Sequence, residues 1–212
     1  MKHPPGFTSP ASAAFSLALL LLLPFALTAC GGSNTPTRPS TLPPRSTPVP
    51  AYSFNPGSGT TAGFKKSTDG LEFVPWVDME VSALGYYDAG GDGLLNSHTV
   101  GIFDTETKEL ITPTVVVDNE SVLDGSYRYE PITPVVLKEG KSYMVGGHSE
   151  PPFDPVALAV AGGESAIWAP EMRFVGHSES YGDFEFPGTR IRYLWMAPNF
   201  KFMPVSAASP SP

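Results

Sequence analysis

The chain has 212 residues, with 21 acidic side chains against 13 basic ones, a formal charge of −8, 24 Pro, 21 Gly and one Cys. The acidic balance excludes a general nucleic-acid binder, because phosphate recognition needs clustered Lys and Arg. One cysteine excludes a disulfide scaffold, a CxxC redox centre and a multi-cysteine zinc site.

Residues 1–29 read as an export signal. Lys2 supplies a short basic start, and Ala11 to Leu27 is an apolar run broken only by Ser12, Ser16 and Pro24. Small residues follow, which is the usual order of an export signal. The sequence Leu27-Thr28-Ala29-Cys30-Gly31 resembles the lipobox of bacterial lipoproteins. That resemblance implies a lipidated Cys30, which would become the first residue of the mature chain. It also explains a lone cysteine in an exported protein, since the thiol is consumed by an acyl thioether. Two or more acyl chains suffice for stable anchoring. Gly31 is not the Asp that retains enteric lipoproteins at the inner membrane. The expected partner of the N-terminus is therefore a cell membrane or outer membrane, with the rest of the chain facing the periplasm or the exterior.

Residues 30–51 read as a tether. Six of the twenty residues from Gly31 to Pro50 are Pro, most others are Ser, Thr or Gly, and Leu42 and Val49 are the only sizeable apolar ones. Such a segment cannot bury a core and should extend as polyproline. Residues 205–212, rich in Ala, Ser and Pro, read as a loose tail. Between them, residues 52–204 hold all 21 acidic residues against ten basic ones, a net charge of −11. A domain of that size can bury a core without staples.

Within it the pattern predicts strand after strand. Glu80 to Tyr86 alternates polar and apolar residues. His98 to Phe103, Leu110 to Val117, Tyr127 to Tyr129, Val135 to Leu137 and Ser142 to Gly146 follow. Met172 to Val175, Ile191 to Trp195 and Phe200 to Met203 complete the series. Turn residues separate them about every dozen positions, which predicts an all-β antiparallel sandwich, Ig-like or jelly-roll-like. The one helical candidate is Pro155 to Ala161, stopped by Gly162-Gly163.

Several hairpin motifs together resemble a domain of unknown function common in exported bacterial proteins that carry the PEP-CTERM sorting tail. They are Val81 to Asp88 with Gly91-Asp92-Gly93-Leu94, Ser97 to Asp104, Tyr127-Arg128-Tyr129 with Pro134 to Leu137, Tyr143 to Gly146, and Pro198 to Phe202. The resemblance implies an antiparallel β-sandwich in an envelope setting, and no established activity. This chain ends in Ala-Ser-Pro-Ser-Pro instead of the sorting tail, and its lipobox stands in for that anchor.

Three features carry candidate chemistry. Asp88 and Asp92 flank a glycine-rich turn, with Asp104 at the end of a neighbouring strand. Hard oxygen ligands around a tight turn suit calcium, although the full EF-hand pattern is absent. The bland alternative is a hairpin connection with Asp capping turn amides. Second, Gly147-His148-Ser149-Glu150 recurs as Gly176-His177-Ser178-Glu179. Convergence of His148, His177 and their neighbours, or of these with His98, would make a transition-metal site; otherwise they are two solvated loops. Third, Trp168 and Tyr181 lie in Gly- and Pro-flanked segments and are the aromatics most expected to face a ligand. No nucleophile elbow or phosphate loop is present. The sequence therefore reads as a non-enzymatic envelope module that binds a polysaccharide or an envelope protein. The alternative is a structural domain with a calcium-stabilised hairpin loop.

Overall fold

Residues 37–54, 60–62, 65–159, 166–192 and 194–205 are described by a computed structural model. Among them there are sixteen strands and no helix, and every strand pairing is antiparallel. The signal segment, Cys30 and the tail from Ser206 lie outside the described residues.

Strands are numbered in chain order. One sheet runs β1 (Val49–Pro50), β16 (Pro198–Pro204), β5 (Met79–Tyr87), β9 (Tyr127–Leu137), β8 (Val122–Asp124). The other runs β14 (Thr189–Ile191), β13 (Met172–Tyr181), β4 (Ser67–Pro75), β10 (Tyr143–Ser149), β6 (His98–Asp104), β7 (Val115–Val117). They pack face to face as an antiparallel β-sandwich. Phe73 on β4 meets Phe200 on β16 with ring centroids 4.9 Å apart. Leu71, Val81, Leu84, Ile102, Val145 and Phe202 are fully buried around that contact. Each such side chain contributes about 1.5–3 kcal/mol by leaving water. Two small sheets complete the fold: β15 (Leu194–Met196), β11 (Pro155–Ala159) and β3 (Thr60–Ala62) in one, β12 (Ala166–Trp168) with β2 (Tyr52–Phe54) in the other.

The all-β sandwich expected from the sequence is the fold observed, with local corrections. The helical candidate Pro155 to Ala161 is a strand over Pro155–Ala159, paired with β15 and β3; residues 160 and 161 lie outside the described set. Val156 and Ala157 are buried between the two flanking strands, and that outweighs the helical propensity of Ala and Leu. The two short strands expected around Pro131 and Pro134 are one strand, β9. Its register against β5 breaks between Val81 and Ala83, and β8 pairs only as far as Tyr129. The prolines thus fall at a bulge, and no further strand needs their missing amides.

β4 has no counterpart among the expected strands, yet it lies inside the second sheet. It is buried on both faces because residues 182–188 cross its outer side. Gly70 makes that crossing possible: a Cβ there would lie 2.3 Å from Pro187 Cγ. The amide of Glu185 donates to Thr68 Oγ1 at 3.3 Å and holds the crossing chain in place.

The described end of the expected tether, from Thr37, belongs to the folded unit. Val49 and Pro50 pair with Phe202 and Lys201. Arg45 donates to both carboxylate oxygens of Glu171, at 2.8 and 3.3 Å.

Candidate functional site

The sandwich has two ends. β5 and β16 arrive and leave so that the glycine-rich loop after Tyr87, the turn before Tyr127 and the segment after Ser149 share one end. The turns at 75–78, 104–109 and 138–142 share the other.

At the first end the loop is built around Asp88, which is fully buried. Its carboxylate accepts Arg128 Nε at 2.7 Å and the Gly93 amide at 3.3 Å. Arg128 Nη1 also donates to the carbonyls of Asn119 and Ser121. Gly90, Gly91 and Gly93 adopt φ of 93°, 71° and 113°, values that side-chain-bearing residues resist. The amide of Asn119 then clamps Leu94, accepting from its N–H at 2.7 Å and donating to its carbonyl at 3.0 Å.

This arrangement answers the calcium expectation. Asp88 is committed to a guanidinium and an amide. Asp92 is exposed and lines a cleft of about 370 Å³ with Leu95, Asn119 and Pro155. Asp104 sits at the opposite end of the sandwich, because β6 carries the chain away from the loop along its whole length. There its carboxylate accepts the amides of Glu106 and Thr107 at 2.8 and 3.2 Å and Lys141 Nζ at 3.1 Å. The Thr107 amide, with the Glu106 amide and Lys141, holds the Asp104 carboxyl below its ordinary range despite partial desolvation. The three carboxylates do not converge, and among the described residues no three His, Cys, Asp or Glu side chains are grouped to hold a metal ion.

His98 is the buried hub of the same end. Its ring stacks on Tyr86 with centroids 3.5 Å apart and planes 4° from parallel. Nε2 lies 2.9 Å from Asp154 Oδ2 and Nδ1 lies 2.9 Å from the His148 carbonyl. Both ring nitrogens are therefore engaged. Asp154 also takes the amides of Leu95 and Asn96 at 2.8 and 3.1 Å. Burial pushes the Asp154 carboxyl up, but the His98 bond and these amides outweigh it and leave it below its ordinary value. An Asp–His pair is two-thirds of a hydrolase triad, but a catalytic base needs a ring nitrogen free to take a proton. His98 has none, and its place is structural.

The duplicated motif does not make a metal site either. β10 and β13 flank β4 on opposite sides, where His148 pairs with Thr68 and His177 with Leu71. Positions 68 and 71 point to opposite faces of β4, so the two imidazoles lie on opposite faces of the sheet. His148 is on the outer face, with Nδ1 3.4 Å from Thr68 Oγ1. Burial, with Lys66 nearby, keeps it below the ordinary histidine range. His177 lies inward, where Trp195 donates its amide to Nδ1 at 3.4 Å. β10 and β4 separate it from His98. Lys66 Nζ bridges Glu150 of the first repeat, at 3.2 Å, and Asp183, four residues past the second, at 2.7 Å.

The two aromatics expected to face a ligand fall in different settings. Trp168 is half-buried, 4.7 Å from Tyr52 and stacked at 4.9 Å on Phe174. Tyr181 is exposed, with Lys65 Nζ 4.5 Å above its ring and its hydroxyl bonded to Glu179. A different aromatic group lines a concavity. Tyr52, Phe54, Tyr127 and Tyr129 line a notch of about 210 Å³, with Asp124, Gly125, Ser126, Ser53 and Pro50 around them; the three tyrosines are buried behind it and Phe54 is half-exposed. Phe54 and Tyr127 are near-parallel, 13° apart at 6.2 Å, and Tyr87 closes the cluster edge-on at 5.6 Å from Phe54. The β8–β9 connection is a two-residue turn with Gly125 at φ 63°, the hairpin geometry that a leading glycine permits. It sets Asp124 on the rim, fixed by Lys201 Nζ at 2.6 Å. This notch was not read from the sequence, because its aromatics come from strands β2 and β9, far apart in the chain.

Compared with known proteins, the chain matches no family model and no curated protein sequence.

Proposed function

We propose that this protein is an envelope lipoprotein, anchored to a membrane through lipid on Cys30, whose sandwich is a non-enzymatic module binding a polysaccharide. The observation that carries the binding role is the aromatic-lined notch between β2 and the β8–β9 turn. Phe54, half-exposed at the mouth of the notch, offers an apolar ring face, and the hydroxyl and carboxylate groups at the rim suit the polar edges of a sugar. Asp124, Ser126 and Ser53 supply the acceptors and hydroxyls at that rim. The lipobox resemblance supports the anchor, and the acidic surface suits an exported, soluble module.

Two experiments test the two halves. The Cys30→Ser protein should leave the membrane fraction and lose incorporated palmitate; continued lipid labelling would refute the anchor. Affinity electrophoresis through gels of soluble polysaccharides should retard the wild-type module, and Phe54→Ala should abolish the retardation. Equal mobility of both in every gel would refute the binding role.

A further inference from the structure

β4 and β13 place two carboxylates side by side in the interior. Asp69 and Glu179 are register partners on neighbouring strands. Both point to the inner face of the sheet, with 3% and 7% of their surface exposed. Adjacent buried carboxylates cannot both ionise cheaply, and one retains a proton unless a cation offsets the pair.

The groups packed around them offer little offset. From β13, Tyr181 donates its hydroxyl to Glu179, and His177 Nε2 lies 3.8 Å from Asp69 Oδ1. Trp195 on β15 donates its amide to His177 Nδ1, which leaves Nε2 as the ring nitrogen facing Asp69. On β4, Ser67 lies beside Asp69 and lowers its value slightly. From the opposing sheet, β5 presents the buried Tyr86 hydroxyl, which stays neutral: burial first, then Asp69 itself, push it far up. On β10 the register partner is Gly147, with no side chain, and beyond it Ser149. The nearest lysines face elsewhere, Lys66 towards Glu150 and Asp183 and Lys65 over the Tyr181 ring. Asp69 Oδ1 has no hydrogen-bond partner. Burial, then the Glu179 charge, push the Asp69 carboxyl up to about 7.

We infer that Asp69 and Glu179 form a proton-operated latch between β4 and β13, closed while one proton is held there and loosened when it leaves. The latch sits where β13 runs into residues 182–188, which cross the outer face of β4. Its release frees that crossing segment together with β14. The inference is independent of the notch and of the membrane anchor.

The sign follows from the raised acid. The folded state holds its proton where the unfolded chain has lost it, so stability falls as pH rises from about 4 to about 7 and levels off above. The test is thermal melting of the full chain from pH 5.5 to 8.5, with Asp69→Asn and Glu179→Gln alongside. The wild type should lose about five degrees relative to Asp69→Asn across that range. Parallel curves for the two proteins would overturn the latch. Carbon-13 NMR of the Asp69 carboxyl in the wild type keeps the test decisive if a variant fails to fold. Titration near pH 7 supports the latch, and titration in the ordinary carboxylate range overturns it.

Discussion

The buried carboxylate of Glu171 is neutralised by Arg45, 126 positions earlier in the chain. Glu171 is fully enclosed and Arg45 is three-quarters buried. A segment that composition marks as a linker therefore supplies the counter-ion for a core acid. Composition predicts whether a segment can bury a core of its own, and it is silent on whether one of its charges completes another.

A fragment that starts at Tyr52 is expected to be markedly less stable than one that starts at Thr37. Losing Arg45 leaves Glu171 as an unpaired buried charge, and breaking a buried pair this way costs about 3–5 kcal/mol. Arg45→Ala in the longer fragment should reproduce most of the loss, while Arg38→Ala should cost little, because its pair with Glu139 is exposed. Urea denaturation of the four proteins measures this directly.

The glycine loop is expected to be indifferent to calcium. Asp88 already has Arg128 and the Gly93 amide, so chelator should leave the melting temperature unchanged. Arg128→Ala should instead destabilise by about 3 kcal/mol, since it strands a buried carboxylate and releases two carbonyls. Melting in EDTA and in calcium, for wild type and variant, checks both statements.

His98 and Asp154 set the acid limit. The folded Asp154 value lies below its ordinary one. Its contribution is therefore present above the unfolded carboxylate range, near pH 4, and is lost as pH falls through the depressed value. His98→Gln should destabilise the protein strongly at pH 7, and the gap to wild type should narrow as the pH drops below 4. An acid titration followed by near-UV circular dichroism reports it.

Two glycines in the sheets should respond differently to a methyl group. At Gly85 a Cβ would meet the Tyr129 ring at 2.5 Å and the Arg128 carbonyl at 2.8 Å. Neither can yield, so Gly85→Ala should cost about 1–3 kcal/mol through overpacking. At Gly176 the Cβ would lie 1.9 Å from Arg190 Nη1, the far end of a flexible side chain. Gly176→Ala should displace the guanidinium and lose its contact with Glu72, a part-exposed ion pair worth about 0–1 kcal/mol. Denaturant midpoints of the two variants should differ accordingly.

Glu80 to Tyr86 was legible from its polar and apolar alternation, and His98 to Phe103 from its short run of β-branched and aromatic residues. β4 was not, because Asp69-Gly70 reads as a turn and both of its faces are covered. Asp69 shares parity with Leu71 and Phe73, and that alternation is the one local signal that it points inward. The glycine loop was legible as a loop and not as a structure: Asp88 looks like a ligand until Arg128, forty positions on, is placed beside it. The aromatic notch depends on the β2–β12 ribbon meeting the β8–β9 turn, a relation between distant segments that no spacing encodes.

The most direct test of the binding account is amide NMR of the residues 37–205 module during titration with a soluble polysaccharide that retards it in a gel. Shifts concentrated at Phe54, Asp124, Gly125, Ser126 and Tyr127, and lost in Phe54→Ala, are the predicted result. Shifts centred instead on the Asp92 cleft or on Tyr181, with the notch unmoved, would contradict it.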